Sequence, residues 1–173
     1  MANVASASPN ESVPNSPHPG PGAVLRGAVR ACRPKQWAKN ALVFIAPVAA
    51  NAIVSKGPDG IEFHGRPFLQ TMLAFVVFSM VASATYLIND SVDVEADRRH
   101  PTKRNRPIAA GIITVRLAVA LAIVLGVAGL ALAYWRSPQF CVVVAIYAVQ
   151  TTLYSFWLKN EPVLDLVVLS GGF

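Results

Sequence analysis

Three runs of apolar residues, Phe68 to Ile88, Ile112 to Trp135 and Gln139 to Leu158, constrain this chain more than anything else in it. Each is close to the ~20 residues a helix needs to cross the hydrocarbon of a bilayer. With no water there to satisfy backbone N–H and C=O groups, such runs read as membrane-spanning helices. A shorter run, Trp37 to Val54, is interrupted by Pro47 and reads as a span preceding them. A further apolar stretch opens at Val163 and is still open at Phe173, which predicts a fragment of a longer protein. The expected architecture is an all-α, multi-span transmembrane bundle, with four complete spans and the start of a fifth. Residues 1 to 24, rich in Pro, Ser, Asn and Gly, have little to bury and are expected to form a disordered arm.

Charge sets the expected orientation. All but three of the fifteen Lys and Arg residues fall before the first span, between the second and third, or after the fourth. The exceptions are Lys56, Arg66 and Arg136, so the amino terminus and the loop from residue 89 to 111 are expected in the cytoplasm. Trp37, Trp135 and Trp157 fall at span ends, where interfacial aromatics belong. A net charge of +6 could suggest nucleic acid, but the cations flank spans and form no separate basic domain, so no nucleic-acid partner is expected. Cys32 and Cys141 lie far apart and read as structural thiols.

The loop after the second run carries the chemistry. Between Tyr86 and Gly111 lie four of the nine acidic residues, followed at once by five cations. If the second span continues as a helix, Asp90, Asp93 and Asp97 stand at i, i+3 and i+7, within a sector of roughly 60°, while Glu95 points away. Three carboxylates on one face repel one another and, at a helix carboxyl end, oppose its dipole. A hard divalent cation such as Mg2+ relieves this, taking carboxylate oxygens on one side and substrate phosphates on the other. The adjoining RRHPTKRNRP can hold the remaining phosphate oxygens. The competing reading is a solvated loop obeying the positive-inside rule. An EF-hand is excluded by the lack of a glycine at the turn position, and no HExxH, GxSxG or phosphate-binding glycine loop occurs.

Asn89 to Asp97 reads NDxxDxxxD, and Lys103 to Gly111 reads KxxRPxxxG. These two linked strings resemble the first aspartate-rich signature of the UbiA-type intramembrane prenyltransferase superfamily. Within it, RPKQWAKNALVFIAP (Arg33 to Pro47) and YSFWLKN (Tyr154 to Asn160) look most like decaprenyl-phosphate phosphoribosyltransferases. The resemblance covers nearly everything from about Cys32 onward and makes residues 25 to 173 the amino-terminal part of an intramembrane transferase domain, in a family of about nine spans. It implies a magnesium-dependent transfer of 5-phosphoribose from phosphoribosyl pyrophosphate to a polyprenyl phosphate for cell-wall arabinan, in a bacterial inner membrane. Self-association into a homo-oligomer is compatible with it. Carried over by position, Asp90, Asp93 and Asp97 become the catalytic, metal-holding and diphosphate-holding residues, with Asn89 supporting their orientation and Lys103 and Arg106 contacting phosphate. Lys35 and Asn40 at the start of the first span, and Tyr154 and Lys159 at the end of the fourth, are further substrate-binding candidates. A positive-inside anchor for Lys35 and an interfacial aromatic for Tyr154 are their ordinary alternatives. The family's second aspartate signature does not occur in these residues.

Other readings stay open at this point. One keeps the fold and makes the protein an aromatic prenyltransferase of quinone biosynthesis. A second is a cation transporter fragment, for which only Asp165, near the start of the fifth stretch, offers support. A third is a non-catalytic membrane subunit. His64 and His100 read as surface histidines.

Overall fold

The computed structural model describes residues 19–58 and 60–156. Most of the expected arm (residues 1–18), Lys159 and the whole fifth stretch with Asp165 lie outside the described residues. Helix α1 (Pro21–Ala31) opens with Pro21 in its first turn, four residues inside the stretch expected to be disordered. A 3-10 helix (Pro34–Phe44) and the short α2 (Ile45–Ala49) follow. Then come β1 (Val54–Gly57) and β2 (Gly60–Phe63), the long α3 (Gly65–Val92) and the short α4 (Val94–Arg99). A 3-10 turn at Lys103–Asn105, α5 (Val115–Arg136) and α6 (Pro138–Phe156) complete the order.

Helices α3 and α5 are long and apolar enough to cross a membrane. At 1.5 Å per residue α3 reaches about 42 Å, longer than the ~30 Å of hydrocarbon a bilayer presents. These two helices match the second and third expected spans, and α6 occupies the place of the fourth. The first expected span is corrected: it is not one α-helix. Pro47 has no N–H to donate into a ladder, and the segment before it winds as a 3-10 helix. Side chains three apart eclipse in that winding, so Trp37 and Asn40 share one edge facing α3. Trp37 Nε1 donates to Ser83 Oγ and Asn40 Nδ2 donates to Ser79 Oγ, each at 3.1 Å. Three residues of 3-10 helix and four of α-helix both rise about 6 Å, which brings the two pairs into register. An antiparallel two-stranded hairpin, Val54 opposite Phe63, joins this segment to α3 and adds a small β element to an expected all-α chain.

Helix α5 packs along α3 through small residues. Ala118, Ala122, Gly129 and Ala133 are buried on it, while Ile123, Val124 and Val127 are more than half exposed. Large apolar groups outside and small ones inside is the pattern of a bundle facing lipid, where close backbone approach drives association. A Cβ at Gly129 would lie 3.0 Å from Val81 Cγ2, so this position sets the separation of the two helices. Gly129→Leu is expected to cost about 1–3 kcal/mol by overpacking, seen as a lower melting temperature in detergent. The α6 side of the core is closed by Phe78, whose ring meets Tyr147 edge-on at 5.0 Å.

A second cluster, at the other end of α3, carries the site. Leu87, Ile108, Ile113, Ala31, Ala118 and Ala122 are buried together, so the loop after α4 and the end of α1 are pinned onto α3 and α5.

Candidate functional site

The site is built where α3 ends. The single helix expected through Asp97 is interrupted: α3 stops at Val92, Asp93 has ψ near 4°, and α4 restarts at Val94. The backbone ladder bridges the break, with Asp93 N–H donating to Asn89 O at 2.9 Å and Asp97 N–H to Asp93 O at 2.8 Å. The chain therefore bends without unwinding. Helix α4 ends at Arg99, and the capping His100 is extended because Pro101 follows it.

Past the Lys103–Asn105 turn the chain doubles back over the bend. Pro107, Ile108 and Ala109 are buried, and Ile112 N–H and Ala110 N–H close turns onto Pro107 O and Arg106 O. Gly111 has φ +72°, a left-handed conformation open to glycine at little cost, which accounts for the glycine ending KxxRPxxxG. Thr114 then caps α5, its Oγ1 accepting from Leu117 N–H. With Ile108 and Ile113 anchored on either side of the turn, Arg106 is aimed at the bend.

Arg106 Nη1 donates to Asp97 Oδ2 at 2.7 Å and to Asp90 Oδ1 at 3.1 Å. Arg33 Nη2 donates to the same Asp90 Oδ1 at 2.7 Å. Asp90 and Asp97 are each only 2% exposed. A pair of buried carboxylates is costly unless paired and hydrogen-bonded, so these are not members of a solvated loop. Glu95 is the contrast: it points to solvent and pairs there with Arg98. Asn89 Oδ1 is buried with no hydrogen-bond partner, a site with lone pairs to offer and nothing in the described chain to take them.

The sequence-derived candidates thus separate. Asp90, Asp97 and Arg106 come together, Asp93 sits at the bend between the two carboxylates, half-buried, and Asn89 precedes Asp90 with its Oδ1 buried. Among the described residues no three His, Cys, Asp or Glu side chains form a ready-made metal cluster; guanidinium stands between the carboxylates instead. Lys103 and Lys35 are exposed, and Asn40 is engaged with Ser79. Tyr154 lies on the last turn of α6 within the described residues, exposed. Arg33 was missed. It opens the RPKQWAKNALVFIAP string before the first apolar run, but nothing in that string marks its reach of 57 positions to Asp90. Its neighbour Cys32 is half-buried, and burial pushes the thiol's pKa up, away from the reactive thiolate.

Two carboxylates are hard donors that fit a divalent cation bringing phosphate ligands of its own. The unpartnered Asn89 Oδ1 is consistent with that fit. Two guanidiniums on the same carboxylates can turn to phosphate oxygens.

The sequence is 44% identical over 151 residues to a decaprenyl-phosphate phosphoribosyltransferase of Mycolicibacterium smegmatis, covering 87% of this chain and 46% of that protein. It is 44% identical over 154 residues to one of Mycobacterium tuberculosis, covering 88% and 49%. A protein of the same description from Corynebacterium glutamicum matches at 44% over 149 residues, covering 85% and 43%. The chain spans about half the length of the curated relatives it matches. Residues 43–173 match the model of the UbiA prenyltransferase family, and with the NDxxDxxxD bend and its returning arginine in place, this chain belongs to that family.

Proposed function

We propose that the protein containing this chain transfers 5-phosphoribose from phosphoribosyl pyrophosphate to a polyprenyl phosphate such as decaprenyl phosphate, releasing diphosphate, at the cytoplasmic face of a bacterial inner membrane. The observation carrying this reading is the buried Asp90–Arg106–Asp97 bridge at the end of a helix long enough to span. The 44% identity to phosphoribosyltransferases over most of the chain supports the choice of donor.

Asp90 and Asp97, with Asp93 at the bend and the unpartnered Oδ1 of Asn89, the residue before Asp90, are the groups that would hold Mg2+. When bound, it neutralises diphosphate oxygens and makes diphosphate a competent leaving group. Arg106, already at the carboxylates, donates to oxygens of the donor and orients it. Lys103, exposed on the same loop, adds charge at the mouth and draws the anion in. As the bond from the anomeric carbon to diphosphate breaks, these cations stabilise charge on the departing oxygen. A phosphate oxygen of the lipid, already anionic, forms the new bond, so no general base is required. An apolar crevice between α3, α5 and α6 is lined by Thr85, Ile88, Gly126 and Thr152 and is of a chemistry that suits an isoprenoid chain arriving from lipid.

The test supplies full-length protein in nanodiscs with radiolabelled phosphoribosyl pyrophosphate and decaprenyl phosphate. Label is expected in the organic phase, dependent on divalent cation. Absence of labelled lipid, with turnover of a prenyl diphosphate and an aromatic acceptor instead, would overturn the donor assignment.

A further inference from the structure

Arg33 is held in an unusual way. It lies between α1 and the 3-10 helix with φ 52° and ψ 59°, a left-handed conformation uncommon for a residue with a side chain. Strain of this kind persists where surrounding contacts over-determine it, and it concentrates at ligand sites. Two contacts do so here: the guanidinium donates to Asp90 Oδ1 at 2.7 Å, and its carbon sits 4.8 Å over the Tyr86 ring. The side chain remains about a quarter exposed (26%), so one side of it is open to an incoming anion.

Asp90 Oδ1 already accepts from two guanidiniums, Arg33 at 2.7 Å and Arg106 at 3.1 Å. A metal ion taking up that oxygen competes with both for its lone pairs. The two arginines are unequal in this respect. Arg106 has a second anchor, Asp97 Oδ2 at 2.7 Å, and keeps it if it leaves Asp90. Arg33 has no second carboxylate among the described contacts, and its tether to the Tyr86 face permits rotation without loss of the ring.

We infer that Arg33 is a placeholder for the donor's divalent cation: in the donor-free state it neutralises Asp90, and on arrival of metal and diphosphate it yields that oxygen and turns to a phosphate oxygen. No covalent step is involved; one ion pair is exchanged for another. The inference rests on the reading of the acidic bend as a metal–diphosphate site, and it assigns a binding and positioning role to a residue outside the NDxxDxxxD and KxxRPxxxG strings. A placeholder keeps the empty site neutral and makes metal binding depend on the diphosphate that receives the displaced guanidinium.

The exchange has an opposite-signed signature. In full-length protein in nanodiscs, free Mn2+ is titrated by electron paramagnetic resonance, and Mn2+ with inorganic diphosphate by calorimetry, for wild type, Arg33→Gln and Arg33→Lys. Arg33→Gln is expected to bind free Mn2+ several-fold more tightly, because a competing cation has gone. It is expected to bind Mn2+–diphosphate about 10- to 100-fold more weakly, the loss of one contact to a charged group. Arg33→Lys, which keeps charge without the planar fork, should recover part of the diphosphate affinity. A purely structural Arg33 would weaken both; that outcome, or unchanged Mn2+ affinity, or unchanged diphosphate affinity, overturns the inference. Arg33→Lys also guards against misfolding of the glutamine variant. Failure of wild type itself to bind Mn2+–diphosphate would refute the underlying reading of the site, whereas these probes are indifferent to which group the donor carries.

Discussion

In the full-length protein, Asp90→Asn is expected to lower the proposed phosphoribosyl transfer on the order of 100- to 1000-fold while leaving the fold intact, measured as turnover beside the melting temperature of the same preparation. The magnitude is that of removing one preorganised electrostatic group at a reacting centre. Asparagine preserves the shape, and its Oδ1 still accepts from Arg33 and Arg106, whose donations at 2.7 and 3.1 Å converge on that atom. What goes is the charge. Two guanidiniums then face a neutral group, and in the proposed reaction the metal would be held less tightly and the departing diphosphate would lose part of its counter-charge. A variant turning over at the wild-type rate would remove Asp90 from the chemistry and leave it a structural anchor for the amino-terminal segment.

The second large effect is on stability. Arg106→Met keeps much of the side-chain volume and deletes the guanidinium that bridges two carboxylates, each with only 3% of its side chain exposed. Breaking a buried pair from one side typically costs 3–5 kcal/mol, because the partner charge stays buried. Arg106 is itself about a quarter exposed (26%), so water screens part of this and the expected cost is about 2–3 kcal/mol. Asp97 bears most of it, since Asp90 keeps Arg33. A melting temperature several degrees below wild type, with transfer activity lost as well, is the expected result. Arg106→Lys should restore more of the stability than of the activity, since one ammonium can neutralise charge but lacks the fork that grips two oxygens. An unchanged melting temperature for Arg106→Met would mean that the bridge is not formed in solution.

Much of the fold could be read from the chain because a membrane limits the choices. Runs of apolar residues became α3 and α5, and α6 fell in the place of the fourth run. The first run misled because hydropathy reports burial without reporting winding; Pro47 and the Trp37–Ser83 and Asn40–Ser79 bonds favour a 3-10 segment. Likewise the even spacing of Asp90, Asp93 and Asp97 described an unbroken helix, whereas the chain bends at Asp93. The bend does not scatter the carboxylates, because the returning loop supplies Arg106 to both Asp90 and Asp97.

The amino-acid sequence by itself determined the membrane-borne helices, the family and the acidic string at the end of α3, since each depends on residue type and short spacing. Only the tertiary structure decided that Asp90 and Asp97 are buried rather than solvated, that one guanidinium bridges them, and that Arg33 reaches Asp90 from another segment. Those facts depend on how the loop pinned by Ile108 and Ile113 and the turn after α1 settle against α3. Electrostatic pairing across such distances along the chain follows from packing, and no local periodicity records it.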